Sequence, residues 1–184
     1  SKVVVDDRAA AYSATEHLIK NGCKKIVHIR GQLLPQISID RFLGYKQALD
    51  QYKIPFDPKK VLKAESLTDK EAFELMTKFI SKNIEFDGVF SQADFAAIGA
   101  IESLKSHKIN VPDEVKVIGF SNWMLTDKLT PSLSTINQPG VLMGKKCFEL
   151  FLKEVNSKKQ KTNFSYEKKI FKTKLIARES SLLK

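Results

Sequence analysis

The sequence predicts an α/β protein in which a parallel sheet is flanked by helices. Short β-branched stretches alternate with stretches of helical period through the first 120 residues. Polar, glycine or proline residues separate these stretches, as they do at the ends of strands and helices. Strands that are connected through helices lie parallel in one sheet, and right-handed crossovers place helices on both faces. A chain of 184 residues is long enough to bury a substantial core.

The first strand is predicted at Lys2–Val5, and the helix after it extends to Asn21. Asp6 or Asp7 can accept hydrogen bonds from the N–H groups at the start of this helix, and Gly22 can adopt the left-handed conformation that ends it. Further strands are predicted at residues 25–30, 61–64, 86–91, 115–120, 132–138 and 169–177. Further helices are predicted at residues 40–52, 68–80, 93–106 and 139–155.

Individual residues indicate where these later helices begin and end. Thr68 and Glu71 have the spacing of a capping box, in which a hydroxyl and a carboxylate satisfy backbone donors reciprocally. The stretch Ile54-Pro-Phe-Asp-Pro58 ends the second helix, because proline cannot continue a helix, whereas Pro139 suits the first helical position. The polar stretch Asn156–Asn163 predicts a loop after the last helix.

The net charge of +10 is typical of proteins that bind nucleic acid. Much of the charge comes from the lysine-rich segment Lys158–Lys174, in which aromatic residues are interleaved. Arginine, which base and phosphate recognition usually favours, is scarce relative to lysine. We therefore interpret this segment as a solvated surface, with a nucleic-acid patch as the alternative.

The spacing of the cysteines and the length of the apolar runs indicate in which cellular compartment the protein is expected. Cys23 and Cys147 form no Cys-x-x-Cys pair, so we expect small buried thiols in a reducing compartment. No run of eighteen apolar residues predicts a membrane span, and the first residues do not resemble a signal peptide. We expect a cytoplasmic protein.

The sequence lacks the motifs of several kinds of catalytic, nucleotide-binding and metal-binding site. It has no glycine-rich phosphate-binding loop and no Gly-x-Ser-x-Gly elbow. His17, His28 and His107 are not spaced with carboxylates or cysteines as a metal-ligand set. His28 lies inside a predicted strand, where we interpret it as a core histidine and not as a catalytic base. We predict no metal, no cofactor and no enzymatic activity.

Polar and aromatic residues follow the predicted strands, at ends that share one edge of a parallel sheet. Arg41, Leu67, Asp94, Ser121 and Trp123 all follow strands in this way. A ligand cleft without a catalytic pair predicts binding rather than turnover. A cation is unfavourable at a helix start, so we interpret Arg41 as a ligand contact. Asp94 can equally be a helix cap, and Trp123 can equally pack under its loop or at a subunit contact.

Several stretches of the chain occur in the same order in one protein family. They are Val3-Val-Val-Asp-Asp7, Gly31…Arg41-Phe-Leu-Gly-Tyr-Lys-Gln-Ala48, Ile54-Pro-Phe-Asp-Pro58, Phe86-Asp-Gly-Val-Phe90, Ala93-Asp-Phe-Ala-Ala-Ile-Gly99, Val111-Pro-Asp-Glu-Val-Lys-Val-Ile-Gly-Phe120, Leu129-Thr-Pro-Ser-Leu-Ser-Thr-Ile-Asn-Gln-Pro139 and Leu175-Ile-Ala-Arg-Glu-Ser180. Together they cover almost the whole chain, which resembles the effector-binding core of the LacI/GalR family of bacterial transcription regulators.

The resemblance implies a periplasmic-binding-protein-like fold, with two α/β lobes joined by three crossovers and an effector between them. It implies that residues 1–184 are a partial effector-binding domain, without the DNA-binding helix-turn-helix domain and most of the first lobe. Residues 7–132 and 170–184 would form the second lobe. Residues 133–169 would supply a crossover, a first-lobe helix and a return segment.

Carried over residue by residue, the family's effector site is only partly retained. Arg41 and Asp94 match residues that contact the ligand in the family. Ala93 stands where an asparagine is usual, Ser121 where an acidic residue is usual, and Leu67 where an aromatic residue often lines the pocket. A sugar effector would then need compensating contacts from the missing lobe. An anionic or less hydroxylated ligand paired with Arg41 is the alternative, because losing an acidic group removes a repulsive charge.

The resemblance also implies the remaining contacts and partners. Asn122, the neighbour of Ser121, and Trp123, proposed above from its position after a strand, complete the predicted effector site. Ile98 aligns with a second-lobe dimer contact, with core packing as its alternative. The predicted partners are a small-molecule effector, operator DNA and a second copy of the chain. The alternative function is a periplasmic-type solute-binding protein for a transporter or sensor, which would share the fold. The stretches Gly119–Asn122 and Leu133–Pro139 favour the regulator.

Overall fold

A computed structural model describes residues 1–160 and 165–182 and contains the predicted alternation of strands and helices. The strands are β1 (Lys2–Val5), β2 (Ile26–Arg30), β3 (Val61–Lys63), β4 (Gly88–Ser91), β5 (Lys116–Ile118), β6 (Thr135–Asn137), β7 (Lys168–Phe171) and β8 (Lys174–Ile176). The helices are α1 (Asp7–Lys20), α2 (Gln36–Gln51), α3 (Asp69–Ile80), α4 (Asp94–Ser106) and α5 (Gly140–Gln160). Short 3-10 turns cover Pro58–Lys60 and Glu179–Ser181.

Two helices are longer than the sequence predicts. Helix α2 begins at Gln36, directly after Pro35, so the stretch that we predicted as a loop before residue 40 is helical. Helix α5 continues to Gln160, so the predicted loop is helical over residues 156–160. Lys158 pairs with Glu154 one turn earlier at 2.9 Å, and cations suit the last turn of a helix. The rest of that predicted loop, residues 161–163, lies outside the described residues.

The chain divides into two compact units, which comprise Asp7–Asn137 with Leu175–Lys184 and Ser1–Asp6 with Gln138–Lys174. In the larger unit, four parallel strands lie in the order β3-β2-β4-β5. Alternate strand residues point to opposite faces, so Val27 packs in the core beneath α3 and α4, whereas Ile26 packs in the core beneath α1 and α2. The predicted parallel sheet with helices on both faces is confirmed.

Helices α1 and α2 approach each other closely at a glycine. A methyl group on Gly44 would lie 2.2 Å from the Arg8 carbonyl oxygen and 2.9 Å from the Ala11 Cβ. Both contacts are too short for any larger side chain, so Gly44 allows the two backbones to pack. The Tyr45 hydroxyl, on the next residue of α2, donates to the Ile26 carbonyl oxygen at 2.9 Å and ties the helix to the sheet.

The larger unit extends past residue 132, the limit that the family resemblance implies, to Asn137. The Thr135 hydroxyl donates to Asp94 Oδ1 at 2.7 Å, and the Ser134 amide donates to Ser180 Oγ at 2.9 Å. Strand β6 pairs with β8, and single bridges connect Ser134 and Asn137 to the residues around β5. These bonds hold residues 134–137 to the larger unit.

The smaller unit consists of α5 and a parallel pair of strands. Strand β1 pairs with β7 in register from Lys2 opposite Lys168 to Val5 opposite Phe171. The predicted single strand over residues 169–177 is therefore wrong, because β7 pairs with β1 whereas β8 pairs with β6. Several apolar side chains of α5 are exposed, namely Val141, Leu142, Phe148, Phe151 and Leu152.

Cys147 of α5 is also exposed, which corrects the prediction that both cysteines are buried, whereas Cys23 is buried as predicted. Leu150, by contrast, is buried in the fold. None of the helices in residues 1–160 and 165–182 has the length and hydropathy needed to cross a bilayer.

Candidate functional site

The carboxyl ends of the parallel strands carry the predicted site residues along one edge of the larger unit's sheet. β2 ends at Arg30 and is followed by Gly31, β4 ends at Ser91 and is followed by Gln92-Ala93, and β5 ends at Ile118 and is followed by Gly119-Phe120-Ser121. The backbone amide of Asp94 donates to the Phe120 carbonyl oxygen at 3.1 Å, and that of Gln92 donates to the Ile29 carbonyl oxygen at 2.9 Å. The ends of β2, β4 and β5 are thus linked directly at this edge.

Arg41 is buried at this edge, with 7% of its surface exposed, and it has protein partners. Its Nε and Nη2 each lie 2.8 Å from Asp7 Oδ1, and its Nη1 donates to the Gln92 carbonyl oxygen at 2.7 Å. Its guanidinium carbon lies 3.6 Å from the centroid of the Phe120 ring. Because α2 begins five residues earlier, at Gln36, the argument from a helix start does not apply to Arg41. Arg41 ties α1, β4 and β5 together.

Gln92 is a connecting residue that the sequence does not single out. Its Oε1 accepts from the Gly31 amide at 3.2 Å, and its Nε2 donates to the Ser38 carbonyl oxygen at 3.0 Å. The same Nε2 lies 3.3 Å from Nε2 of His28. A buried amide at the end of a strand needs several partners, and this requirement is the signal that could have identified it.

His28 is fully buried in the strand before this edge, as the sequence predicts for a core histidine. Its Nδ1 lies 3.0 Å from the Phe90 carbonyl oxygen, so Nδ1 carries the proton and Nε2 accepts from Gln92. The rings of Tyr45 and Phe90 stack against it with centroids at 4.6 and 4.8 Å. Burial lowers the pKa of His28 to about 3, so the imidazole is neutral.

Asp94 is also buried, with 2% of its surface exposed, and its carboxylate binds protein groups. Oδ2 accepts from the Trp123 amide at 2.8 Å, while Oδ1 accepts from the Thr135 hydroxyl at 2.7 Å. Helix α4 starts at Asp94 itself, and the cap position is occupied by Ala93, which makes no side-chain cap bond. Burial raises the pKa of Asp94, and these hydrogen bonds act against that rise. Asp94 therefore fixes the loop that follows β5.

The loop after β5 is held in an unusual backbone conformation. Ser121 and Asn122 have φ values of 119° and 54°, in the left-handed region that non-glycine residues rarely adopt. Asn122 Oδ1 accepts from Arg178 Nη2 at 2.9 Å, and Asn122 Nδ2 donates to Asn137 Oδ1 at 2.9 Å. Arg178 Nη1 also donates to the Leu133 carbonyl oxygen at 2.7 Å. Both polar atoms of the Asn122 side chain thus hydrogen-bond to other side chains of the larger unit.

Leu67 lies at the same edge, near the end of β2. A methyl group on Gly31 would lie 3.2 Å from Leu67 Cδ1. Leu67 has a φ of 55°, and its amide and that of Ser66 donate to the Glu71 carboxylate at 3.1 and 2.9 Å. Thr68 caps α3 through a 3.2 Å bond from the Glu71 amide, but the Glu71 carboxylate holds this loop and does not complete a capping box.

The remaining predicted site residues face solvent to different degrees. Ser121 is exposed, whereas Ala93 and Trp123 are half-buried. The Trp123 ring packs on Phe95 with a centroid distance of 4.3 Å, and Phe95 is 43% exposed. Ile98 is half-buried in α4 and packs partly against the core. The structure therefore separates the predicted site into residues whose polar atoms bind protein groups, namely buried Arg41, buried Asp94 and half-buried Asn122, and the other predicted residues.

No group of three His, Cys, Asp or Glu side chains within residues 1–160 and 165–182 is arranged to hold a metal ion. Thr15 and Ser103, two further buried polar residues, hydrogen-bond within the helical layers. The groups present at the edge are an aromatic ring, hydroxyls, backbone groups and buried arginines.

Residues 15–181 match the family model described as "Periplasmic binding protein-like domain". The ribose operon repressor of Halalkalibacterium halodurans is 31% identical over 179 residues, which cover 97% of this chain and 52% of that protein. The transcriptional repressor PurR of Vibrio atlanticus is 30% identical over 176 residues, which cover 92% of this chain and 49% of that protein. The chain thus spans about half the length of the curated relatives that it matches.

A solved structure of the same kind of protein is also similar to this chain. A sugar-binding transcriptional regulator of the LacI family from Escherichia coli, complexed with phosphate, has a TM-score of 0.81 and 27% identity to this chain. The match covers 96% of this chain and 61% of that protein.

Proposed function

The chain belongs to the periplasmic binding protein-like domain family, with the sequence pattern and fold of LacI/GalR effector-binding cores, and we propose that it senses a small-molecule effector for a DNA-binding transcription regulator. The relatives named above are transcription regulators and not enzymes. We assign the protein to the bacterial cytoplasm, where operator DNA lies, and we assign it no catalytic step.

One observation carries the proposal: buried and half-buried charged and amide side chains fix the loops at the carboxyl edge of the sheet. Asp94 holds the Trp123 amide, Arg178 holds Asn122, and Arg41 holds the end of β4. Ligands of open α/β sheets bind at such edges. Residues that are locked by surrounding hydrogen bonds give a binding surface a defined shape before the ligand arrives.

The accessible residues of this edge, Ser121, Trp123, Ala93 and Leu67, are the proposed effector contacts. Arg41, Asp94 and Asn122 are proposed to position them, because their polar atoms bind protein groups. An aromatic ring such as Trp123 can stack on the apolar face of an effector. The effector can change the affinity of the protein for DNA only if it binds the conformation that binds DNA and the conformation that does not with different affinities.

The test uses the complete protein that contains this sequence and DNA from its own promoter region. We expect at least one metabolite to change the dissociation constant for that DNA by about fivefold or more, the lower range of measured allosteric coupling. Trp123→Ala should weaken the metabolite response without weakening DNA binding in the absence of metabolite. Tyr166→Ala is the control, because Tyr166 is an exposed aromatic residue of the smaller unit.

Three outcomes would contradict the proposal. The protein could fail to bind its promoter DNA, the DNA affinity could remain constant across a metabolite library that includes ribose, or the protein could convert a bound metabolite to product. A thermal-shift screen of the same library identifies the compounds to test, because a ligand that binds only the native state raises its apparent stability.

A further inference from the structure

Arg30 is a second buried arginine at the candidate edge. It is the last residue of β2, and 7% of its surface is exposed. Its Nη1 donates to the Gly31 carbonyl oxygen at 2.7 Å, which places the guanidinium at the carboxyl edge of the sheet. Its guanidinium carbon lies 5.4 Å from the centroid of the Phe42 ring.

Arg30 has no counter-ion in residues 1–160 and 165–182. None of the ion pairs among these residues involves Arg30, and its Nε is the one buried side-chain nitrogen or oxygen there that lacks a hydrogen-bond partner. Burial lowers the pKa of Arg30. The Phe42 ring compensates the positive charge only partly, because a cation–π contact is weaker than a desolvated ion pair.

The two arginines both have 7% of their surface exposed, but Arg41 lies deeper among protein atoms than Arg30. Arg41 has Asp7 at 2.8 Å, whereas Arg30 has a carbonyl oxygen and a ring. A buried charge without a partner costs free energy unless another group compensates it. His28 cannot compensate it, because its imidazole is neutral and carries no negative charge.

We propose that Arg30 binds an anionic group of the effector, a phosphate or a carboxylate, at the carboxyl end of β2. Nε and Nη2 form one side of the planar guanidinium; Nε is buried without a hydrogen-bond partner among the described residues, and the hydrogen bond to the Gly31 carbonyl oxygen is made by Nη1. Two parallel N–H groups match the two oxygens of a carboxylate or phosphate. The anion would supply the missing counter-charge.

This inference rests on the proposed effector function and names the chemical class of its ligand. It also moves the anion contact away from Arg41, which the sequence suggested for an anionic ligand and whose charge Asp7 already balances. A general attraction of anions by the positively charged surface is the competing explanation, since the chain carries a net charge of +10.

The experiment measures binding to the complete protein by calorimetry at constant ionic strength, with two matched pairs of probes. Ribose is compared with ribose 5-phosphate, and glucose is compared with gluconate. We expect at least one charged probe to bind tenfold or more tightly than its neutral partner. The pair that shows the difference identifies the anion as a phosphate or a carboxylate.

Arg30→Gln should abolish that difference, because it removes the charge and retains a polar side chain. Arg8→Gln is the matched control, since Arg8 is exposed on α1, where its Nε donates to Gln47 Oε1 at 2.9 Å. If Arg8→Gln removes the difference as completely as Arg30→Gln, then general surface charge explains the binding and the proposal is wrong.

A second measurement needs no ligand. The urea midpoint of Arg30→Met should equal or exceed that of the wild type, because the variant removes an unpaired buried charge. The midpoint of Arg41→Met should fall, because that variant removes the ion pair of Arg41 with Asp7 at 2.8 Å. An equal loss in both variants would make Arg30 a structural residue and would overturn the proposal.

The remaining outcomes separate this inference from the proposed function. If no charged probe binds better than its neutral partner, or if Arg30→Gln retains the difference, the anion assignment is wrong. A metabolite response of DNA binding would leave the regulator function intact in that case. Conversely, charged probes that bind through Arg30 without any effect on DNA would support the anion site and contradict the regulator function.

Discussion

At the scale of single residues, His28 couples the stability of the larger unit to pH. Its pKa is lowered to about 3 by burial, against about 6.5 for an exposed histidine. The unfolded chain therefore binds a proton below pH 6.5 that the folded chain rejects. The stability from neutral His28 is fully present above pH 6.5 and is lost as the pH falls towards 3.

We expect the free energy of unfolding to fall more steeply with decreasing pH in the wild type than in His28→Gln. The difference in slope should approach about 1.4 kcal/mol per pH unit between pH 5.5 and 4.5, since one pKa unit is worth that amount. Urea unfolding at a series of pH values measures it. His107→Gln, at an exposed position after α4, should keep the wild-type slope. Identical slopes in the wild type and His28→Gln would contradict the prediction.

The candidate site shows what sequence reasoning can reach for a single residue. The positions of Asp94 and Asn122 at strand ends follow from the strand–helix alternation, and both lie at the predicted edge. Their bonding partners, Thr135 and Arg178, lie 41 and 56 residues further along the chain. No local pattern indicates such a pairing, because it depends on how distant segments pack. For the same reason, Gln92 did not stand out in the sequence.

At the scale of elements, helix interiors were predictable and helix ends were less so. Buried residues such as Ala48 and Met76 lie where the helical period places them. The start of α2 was missed because Pro35 occupies its cap position without any side-chain cap bond, so no capping signal is present in the sequence. The break between β7 and β8 was missed because both pieces have strand character, and only their different partners separate them.

Gly44 provides a prediction at this scale. Gly44→Ala should destabilise the 184-residue chain by about 1–3 kcal/mol, the usual range for overpacking, because its Cβ would lie 2.2 Å from the Arg8 carbonyl oxygen. Gly144→Ala in α5 is the matched control, since nothing lies within 4 Å of its Cβ position. Alanine there should stabilise the helix by about 0.5–1 kcal/mol. Urea unfolding of both variants is the measurement, and a neutral Gly44→Ala would mean that α1 and α2 can separate without cost.

At the scale of the whole molecule, the sequence predicted the sheet and its helical layers better than it predicted single contacts or helix ends. Alternation of strands and helices predicted a parallel sheet between two helical layers, and the sheet β3-β2-β4-β5 has that form. This level is the most predictable because it depends on summed hydrophobic periodicity, which many residues share. The limits of the larger unit depend instead on a few hydrogen bonds, such as that between Thr135 and Asp94. Hydrophobic periodicity does not predict such bonds.

Self-association is the prediction that belongs to this scale. If Ile98 lies in a dimer contact, Ile98→Asp should shift the complete protein from dimer to monomer in sedimentation equilibrium. The reason is that a charge would be desolvated at the interface. Lys53→Asp is the control, because Lys53 is an exposed residue that follows α2, on the opposite face of the sheet from α4. Unchanged association of a folded Ile98→Asp protein would remove Ile98 from the interface.

The bonds of Arg178 have a consequence for biosynthesis. The loop after β5 depends on Arg178 for the position of Asn122, and Ser180 Oγ donates to the Val117 carbonyl oxygen of β5 at 2.7 Å. A ribosome makes both acceptors long before it makes either donor, because synthesis runs from the amino to the carboxyl end. A nascent chain that stops before Leu175 therefore carries every strand of the four-stranded sheet but lacks these bonds. The growing polypeptide can fix the loop after β5 in this way only once Arg178 and Ser180 have been made.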